Sequence, residues 1–295
     1  MEFGNKPFFS VIIPTYNRAD VLDRCLAALT KQTYQHFEVI VCDDGSKDNT
    51  PVIIEKYKPL LLLQYVYSEN WGGPARPRNT GIKMAKAEWL CFLDSDDWWY
   101  ANKLEKILPH CTQDYDFIYH DFDIYVKGQP TKRRIKGRAL KNPVFEDLFI
   151  NDNSVANSGV CARKAVIEAA GGFAEDRDLI AVEDYDLWLK CARLTEKFQY
   201  IPERLGGYDI NSDNITSADM RQIYRIDKLF SCHTQFLEPG KIKAATINWS
   251  YKKGLVYQNM PDVNAARKYF LKAMRSQLPA IKLKALLRFL SLIIK

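Results

Sequence analysis

Trp89-Leu90-Cys91-Phe92-Leu93-Asp94-Ser95-Asp96-Asp97-Trp98 runs from an apolar segment straight into carboxylates. A short unbroken apolar run of this kind predicts a strand over 88–93 that is covered on both faces. Side chains alternate along an extended chain, so Asp94 and Asp96 are expected to point the same way from its end. There they can share one hard divalent cation, which usually serves a phosphate. An acidic surface turn has the same composition, and this stretch alone leaves both readings open.

Working outward, the segments before it repeat one pattern. A strand over 8–13 ends in the polar turn Pro14-Thr15-Tyr16-Asn17, and a helical pattern follows over 19–29. A second strand, 37–42, ends in Asp43-Asp44-Gly45-Ser46. Helix 48–57, strand 61–67 and helix 75–86 continue the alternation, which predicts a mostly parallel, Rossmann-like α/β sheet flanked by helices. Ligands of such sheets bind beyond the carboxyl ends of the strands. Thr15 to Arg18, Asp43-Asp44 and Asp94 to Asp97 are therefore expected along one edge.

After Asp97 the pattern loosens. It predicts a helix near 101–110, an alternating strand over 116–125, a basic turn over 127–138 and helices at 144–150, 163–170 and 183–195. From about 218 the chain reads as helical, with breaks at Pro239-Gly240, Met260-Pro261 and Pro279. Trp249, Gly254, Tyr257, Ala265-Ala266, Tyr269, Ala273 and Pro279 have the spacing of one helix-turn-helix repeat of the tetratricopeptide kind.

The chain has 295 residues and is 47% hydrophobic, enough for one large domain and a smaller appendage. Seven cysteines without a Cys-x-x-Cys pair argue against a zinc site and for a reducing cytoplasm. The start of the chain has no apolar signal region, and no stretch reaches the roughly 20 apolar residues of a spanning helix. The expectation is a cytoplasmic protein. Net charge is +6, unevenly placed: residues 241–295 hold 12 Lys/Arg against one acid, Asp262.

Three ordered motifs resemble a known family. Ser10-Val11-Ile12-Ile13-Pro14-Thr15-Tyr16-Asn17-Arg18, Phe37-Glu38-Val39-Ile40-Val41-Cys42-Asp43-Asp44-Gly45-Ser46 and Phe92-Leu93-Asp94-Ser95-Asp96-Asp97 look like the signatures of inverting family 2 glycosyltransferases with the GT-A fold. Gly171-Gly172-Phe173 followed by Glu183-Asp184-Tyr185-Asp186-Leu187-Trp188 resembles the family's acceptor-side segment. The resemblance implies a GT-A domain over 1–218, with a nucleotide-sugar half at 1–100 and an acceptor half at 101–218, and a helical extension over 219–295.

Moving a sugar off a nucleoside diphosphate builds negative charge on the leaving group, which Mn2+ or Mg2+ across both phosphates would stabilise. Asp96 with Asp94 is the expected metal pair. By resemblance Asp94 also faces the ribose, Asp43 accepts the imide N–H of a uracil, and Asp184 is the base that takes the acceptor's proton, with Glu183 an acceptor ligand. Pro14, Thr15, Tyr16 and Arg18 would form the other wall of the nucleotide pocket, with Asp44 and Ser95 from the flanking motifs. Read without the resemblance, Asp43-Asp44-Gly45-Ser46 is equally a strand-ending turn with a cap at Asp48 or Ser46. Glu183-Asp184 is equally an acidic first helical turn.

Arg78, in Gly72-Gly73-Pro74-Ala75-Arg76-Pro77-Arg78-Asn79-Thr80-Gly81, could reach the diphosphate or base. Pro77 departs from the family's shorter version of that segment. A second departure is Asp209, where the family commonly has Arg, so Asn214, Thr216 or Ser217 are the remaining candidates to clamp the diphosphate. Trp98 could stack on a sugar ring. His120, Asp121 and Asp123 are read as structural, because the two acids share one face of a strand and the histidine takes the other.

The expected donor is a UDP-sugar and the expected acceptor a glycan, carried on a lipid diphosphate, in bacterial O-antigen, capsule or exopolysaccharide synthesis. A nucleotidyltransferase would share sheet and metal but would need a glycine-rich loop after the first strand, where this chain has Pro14-Thr15-Tyr16-Asn17-Arg18. An inactive nucleotide-sugar-binding homologue is the non-enzymatic alternative. Over 280–295, Lys284, Arg288, Ser291 and Lys295 lie opposite Leu283, Leu286, Leu287, Leu290, Ile293 and Ile294 in helical spacing, as in a basic amphipathic helix on an anionic membrane surface. That places the protein peripherally on the inner face of the cell membrane. No nucleic-acid-binding module is recognisable.

Overall fold

The computed structural model describes residues 6–151, 153–210 and 219–293. They fall into two compact units. The first contains a nine-stranded sheet in the order β3-β2-β1-β4-β8-β6-β9-β5, with β7 paired to β6 off this path. Its leading half is the expected alternation: β1 (Phe9–Thr15), α1 (Ala19–Leu29), β2 (Phe37–Asp43), α2 (Thr50–Tyr57), β3 (Leu63–Tyr67), α3 (Ala75–Met84) and β4 (Trp89–Phe92). These four strands are parallel to one another.

All side chains of β1, β2 and β4 are buried, as apolar strands covered by helices on both faces should be. Leu22, Cys25, Leu26 and Leu29 of α1 join Val11, Ile13, Val39 and Val41 in the core on one side. On the other, α3 approaches through Gly81, where a Cβ would lie 2.5 Å from Ile12 Cγ2 and 3.1 Å from Cys42 Sγ. Any larger residue would lift α3 off the sheet.

The order 3-2-1-4 reverses direction between β1 and β4. In α/β sheets such a switch point opens a crevice, because successive crossovers leave the shared edge in opposite directions. Thr15 is in register with Asp43, and the chain after β4 continues into Asp94 to Asp97. The three polar clusters therefore lie side by side at one sheet edge, as expected.

Beyond β4 the sheet is mixed rather than parallel. β5 is Trp98–Trp99, α4 is Lys103–Ile107, and β6 (Phe117–Val126) forms a hairpin with β7 (Gln129–Ile135). β8 (Cys161–Arg163) runs antiparallel to both β4 and β6 and joins the halves. α6 (Lys164–Ala169) and α7 (Glu183–Ala192) precede β9 (Phe198–Ile210), which is parallel to β6. The expected basic turn over 127–138 is thus mostly strand. Its Lys132, Arg133 and Arg134 are exposed, and charged residues are what a sheet edge tolerates. All seven cysteines are free thiols.

The second unit combines α5 (Val144–Asn151) with α8 (Met220–Thr234), α9 (Pro239–Gln258), α10 (Val263–Ala273) and α11 (Pro279–Ser291). Phe149 of α5 meets Trp249 at 4.9 Å, and the indole N–H donates to the Phe149 carbonyl at 2.6 Å. α9 and α10 form the expected helical hairpin. Phe270 occupies the space at Gly254, and Tyr257 stacks on Tyr269 at 5.3 Å. No described helix is long and apolar enough to cross a membrane.

Candidate active site at the strand ends

At the end of β1, Pro14 and Thr15 are buried, Tyr16 is 44% exposed, and Asn17 turns the chain with a φ of +50°. The Thr15 hydroxyl is buried without a hydrogen-bond partner. After β2, Asp43 is held twice: Oδ1 accepts from the Ser46 amide at 2.8 Å and Oδ2 from the Tyr65 hydroxyl at 2.6 Å. A carboxylate has four lone-pair directions, so with two filled it keeps room for further donors. The cap at this edge comes from Asp48, which accepts from the Ala19 amide at 2.9 Å at the start of α1.

Asp44 points elsewhere. Its Oδ1 accepts from the Trp71 amide at 2.9 Å, its Oδ2 from the Gly72 amide at 3.0 Å, and it is buried. Its carboxylate anchors the loop of residues 70–72.

After Phe92 the chain leaves the extended conformation, and the Asp97 amide donates to the Asp94 carbonyl at 3.0 Å. Strand alternation therefore does not set the directions of Asp94 and Asp96, which are fixed by their partners. Asp94 Oδ1 accepts from Arg78 Nη2 at 2.6 Å and Asn157 Nδ2 at 2.9 Å. Asp96 Oδ2 pairs with Arg18 Nη1 at 2.6 Å. Burial and the Asp94 charge push the Asp96 carboxyl up, against the opposing pull of Arg18.

Ser95 and Asp97 are buried beneath them. Ser158 Oγ donates to Asp97 Oδ2 at 2.5 Å and accepts from the Asp94 amide at 3.1 Å. Burial, with Asp96 and Asp94 alongside, drives the Asp97 carboxyl well above its ordinary range. Its role is to shape the turn.

Arg78 does not extend into open space. It is buried in α3, and its guanidinium bridges Asp94 to Glu183 Oε1, the latter at 2.7 Å. Glu183 is also buried, turned inward on this arginine. Asp184 follows it at the start of α7, where the helix dipole favours a carboxylate, and is partly exposed. Burial first, then the Glu183 charge, raise the Asp184 carboxyl to about 7, against the lowering effect of Arg78. A base of that strength is matched to neutral pH.

Several contributors have weak sequence signals. Arg24 of α1 donates to the Asp96 carbonyl at 2.6 Å and to Asp209 Oδ2 at 2.7 Å, and lies 4.2 Å above the Trp98 ring. Arg24 lies about 150° around α1 from the buried stripe of Leu22, Cys25, Leu26 and Leu29, so its position reads as solvated surface. Trp98 is accordingly sandwiched, with Tyr125 at 4.5 Å, while Trp99 is core. Asp209, buried against Arg24 and accepting from the Gly128 amide at 3.2 Å, explains the acid at a position where the family has a cation. Tyr208 sits among Asp97, Asp94, Asp96 and Asp184, whose charges add to burial in raising its phenol. Asn214, Thr216 and Ser217 lie outside the described residues. His120, Asp121 and Asp123 are structural, the histidine bonded to a backbone carbonyl and the acids to Tyr200 and Arg204.

Among the described residues no group of three or more His, Cys, Asp or Glu is placed to hold a metal. Asp94 and Asp96 nevertheless fit a hard cation of the Mg2+ or Mn2+ class, which commonly takes one or two carboxylates and completes its shell with substrate phosphates and water.

The glycosyl transferase family 2 profile matches residues 10–168, which carry all three strand-end motifs. The chain belongs to glycosyl transferase family 2. It is 32% identical over 211 residues to the amylovoran biosynthesis glycosyltransferase AmsB of Erwinia amylovora, covering 68% of this chain and 69% of that one. It is 37% identical over 188 residues to the UDP-Glc:alpha-D-GlcNAc-diphosphoundecaprenol beta-1,3-glucosyltransferase WfgD of Escherichia coli, covering 62% and 69%. Among solved structures, S. aureus TarS 1-349 in complex with UDP-GlcNAc superposes with a TM-score of 0.67 at 19% identity, over 96% of this chain and 88% of that one. Mannosyltransferase PcManGT from Pyrobaculum calidifontis, in complex with GDP-Man and Mn2+, gives 0.62 at 19% identity, over 97% and 81%. The fold is GT-A, and this family 2 member is a glycosyltransferase.

Proposed function

We propose that this glycosyltransferase moves a hexose or N-acetylhexosamine, with inversion, from a UDP-sugar to a hydroxyl of a lipid-diphosphate-linked glycan in the synthesis of a bacterial surface polysaccharide. The observation that carries the reading is the placement of Asp43, Asp94 and Asp96 at one switch-point edge, with Arg78 bridging Asp94 to Glu183 beside Asp184. The UDP-Glc donor in the name of WfgD and the UDP-GlcNAc complex of TarS support a uridine donor. Residues 1–100 would hold the nucleotide sugar and 101–218 the acceptor.

Pro14, Thr15, Tyr16 and Asp43 receive the nucleoside, with Asp43 accepting from the base. Arg18, freed from Asp96, turns to the diphosphate. Asp94 and Asp96 would hold a Mn2+ or Mg2+ ion, which would supply Lewis-acid stabilisation to the departing diphosphate. Asp184 takes the acceptor proton as the acceptor oxygen forms its bond to the anomeric carbon and the bond to the diphosphate oxygen breaks on the opposite face. Glu183 and Arg78 act on Asp184 through their charges, the one raising and the other lowering its basicity. Transfer takes place at the inner face of the cell membrane, where the lipid-carried acceptor lies.

The test is UDP binding with and without Mn2+ in the intact protein and in Asp96→Asn, followed by NMR assignment of the product anomer. Metal-enhanced UDP binding that Asp96→Asn removes, with an inverted anomer, is expected. Metal-independent binding or a retained anomer would overturn the reading.

A further inference from the structure

The inner side of α11 is accounted for. Ala285 and Leu292 are buried with Ala266, Phe270 and Ala273 of α10, and Ile281 and Phe289 pack against them. Arg267 reaches across to the Leu292 carbonyl at 2.5 Å. The opposite side is a second apolar face. Leu283, Leu286, Leu287, Leu290 and Ile293 are exposed, from 37% at Leu286 to 58% at Leu287. At about 100° per residue, these five occupy an arc of roughly 120° centred opposite Ala285 and Leu292.

Cations flank that arc. Lys282 lies just beyond one side and Lys284 beyond the other, with Arg288 farther round the helix, all exposed. α10 adds exposed Lys268 and Lys272, and exposed Arg275 follows its end. From residue 263 to 295 there are eight Lys/Arg and no Asp or Glu. A second copy of the chain is a poor occupant, because symmetric pairing of this face would set Lys282, Lys284 and Arg288 against their own copies with no local acid between them.

We propose that the outward face of α11 docks on an anionic lipid bilayer, Leu283, Leu286, Leu287, Leu290 and Ile293 entering the headgroup–acyl boundary and the flanking lysines and arginines pairing with lipid phosphates. Five leucine-class side chains within an otherwise basic surface have the pattern of an interfacial helix, which lies in the membrane plane. The inference rests on the proposed lipid-carried acceptor for its purpose, though not for its geometry.

The experiment is co-sedimentation of the intact chain with phosphatidylcholine vesicles, with and without phosphatidylglycerol, in the absence of donor and acceptor. Leu287→Glu/Leu290→Glu tests the apolar face and Lys282→Ser/Lys284→Ser/Arg288→Ser the flanks; circular dichroism checks that helix content is kept. Anionic vesicles should bind the intact chain at least about tenfold more tightly than neutral ones, and the triple variant should lose about a hundredfold, given about 1 kcal/mol per cation near the surface. The leucine variant should lose binding to both. Binding unchanged in both folded variants, or no binding by the intact chain, would overturn the proposal. So would a concentration-dependent dimer that Leu287→Glu/Leu290→Glu abolishes. Because no transfer is measured, none of these results bears on the donor reading.

Discussion

Replacing Arg78 by Met removes the one cation between two acids. The Arg78 and Glu183 side chains are 5% and 6% exposed and that of Asp94 is 29% exposed, so the neutral thioether would leave one carboxylate fully desolvated and another partly so. Breaking a buried pair by deleting one partner costs about 3–5 kcal/mol. With a urea slope of about 2 kcal/mol per molar, the unfolding midpoint should fall by about 2 M. Glu183→Gln keeps a hydrogen-bond acceptor for Arg78 and should cost about 1.5–3 kcal/mol, as for other charged hydrogen bonds. In the double variant no buried Glu183 charge remains to be stranded. Its loss should therefore be smaller than the sum of the single losses by about 1–3 kcal/mol. Urea denaturation of all four proteins measures this directly. An Arg78→Met loss below about 1 kcal/mol, or strict additivity with Glu183→Gln, would refute the assignment of Arg78 as the electrostatic tie between the turn after β4 and α7.

Other outcomes follow from the same geometry. Asp184, the proposed base, can act only when ionised, so kcat/KM should rise with pH through about 7, and Glu183→Gln, by removing the charge that raises Asp184, should move that limb to lower pH. A limb unmoved by Glu183→Gln would assign it to another group. Arg18→Gln should tighten binding of Mn2+ alone by about tenfold, since Asp96 no longer has a resident cation, while weakening the mutual enhancement of Mn2+ and UDP. Isothermal titration reads both, and weaker Mn2+ binding would show that Arg18 supports the site rather than competing for it. Gly254→Val should destabilise the α9–α10 hairpin by about 1–3 kcal/mol, because its Cβ would lie 2.7 Å from the Phe270 ring; an unchanged thermal midpoint would refute that packing.

The leading half of the sheet was legible because its signals agree. Apolar strands, an amphipathic helix and polar turns point to one architecture, and α1 begins and ends where its periodicity says, at Ala19 and Leu29. The trailing half was not. β8 is only three residues long, too short for a periodic signal. β9 contains Pro202 beside Glu203 and Arg204, which reads as a loop; the strand survives because its register against β6 shifts between Ile201 and Arg204. β7 carries the charges of a solvated turn because it is an edge.

Within the site, residue types were readable but directions were not. Asp94 and Asp96 were placed at the edge by pattern, yet Arg78, Asn157 and Arg18 determine where they point. Asp44 looked equivalent to Asp43, and only the structure shows that their hydrogen-bond partners differ, Trp71 and Gly72 amides for one and Ser46 and Tyr65 for the other. Ser158 and Arg24 are distant in sequence from the acids they hold, and no local pattern announces such pairs.

The most direct test of the central claim is release of nucleoside diphosphate from UDP-, GDP-, dTDP- and CMP-sugars with Mn2+, with and without EDTA, by the intact chain and by Asp184→Asn in the presence of a lipid-diphosphate glycan. Turnover of one UDP-sugar, abolished by EDTA and reduced by about a thousandfold or more in Asp184→Asn, is expected for a metal-assisted transfer with Asp184 as base. Turnover of a GDP- or CMP-sugar instead, or full activity in Asp184→Asn, would contradict it.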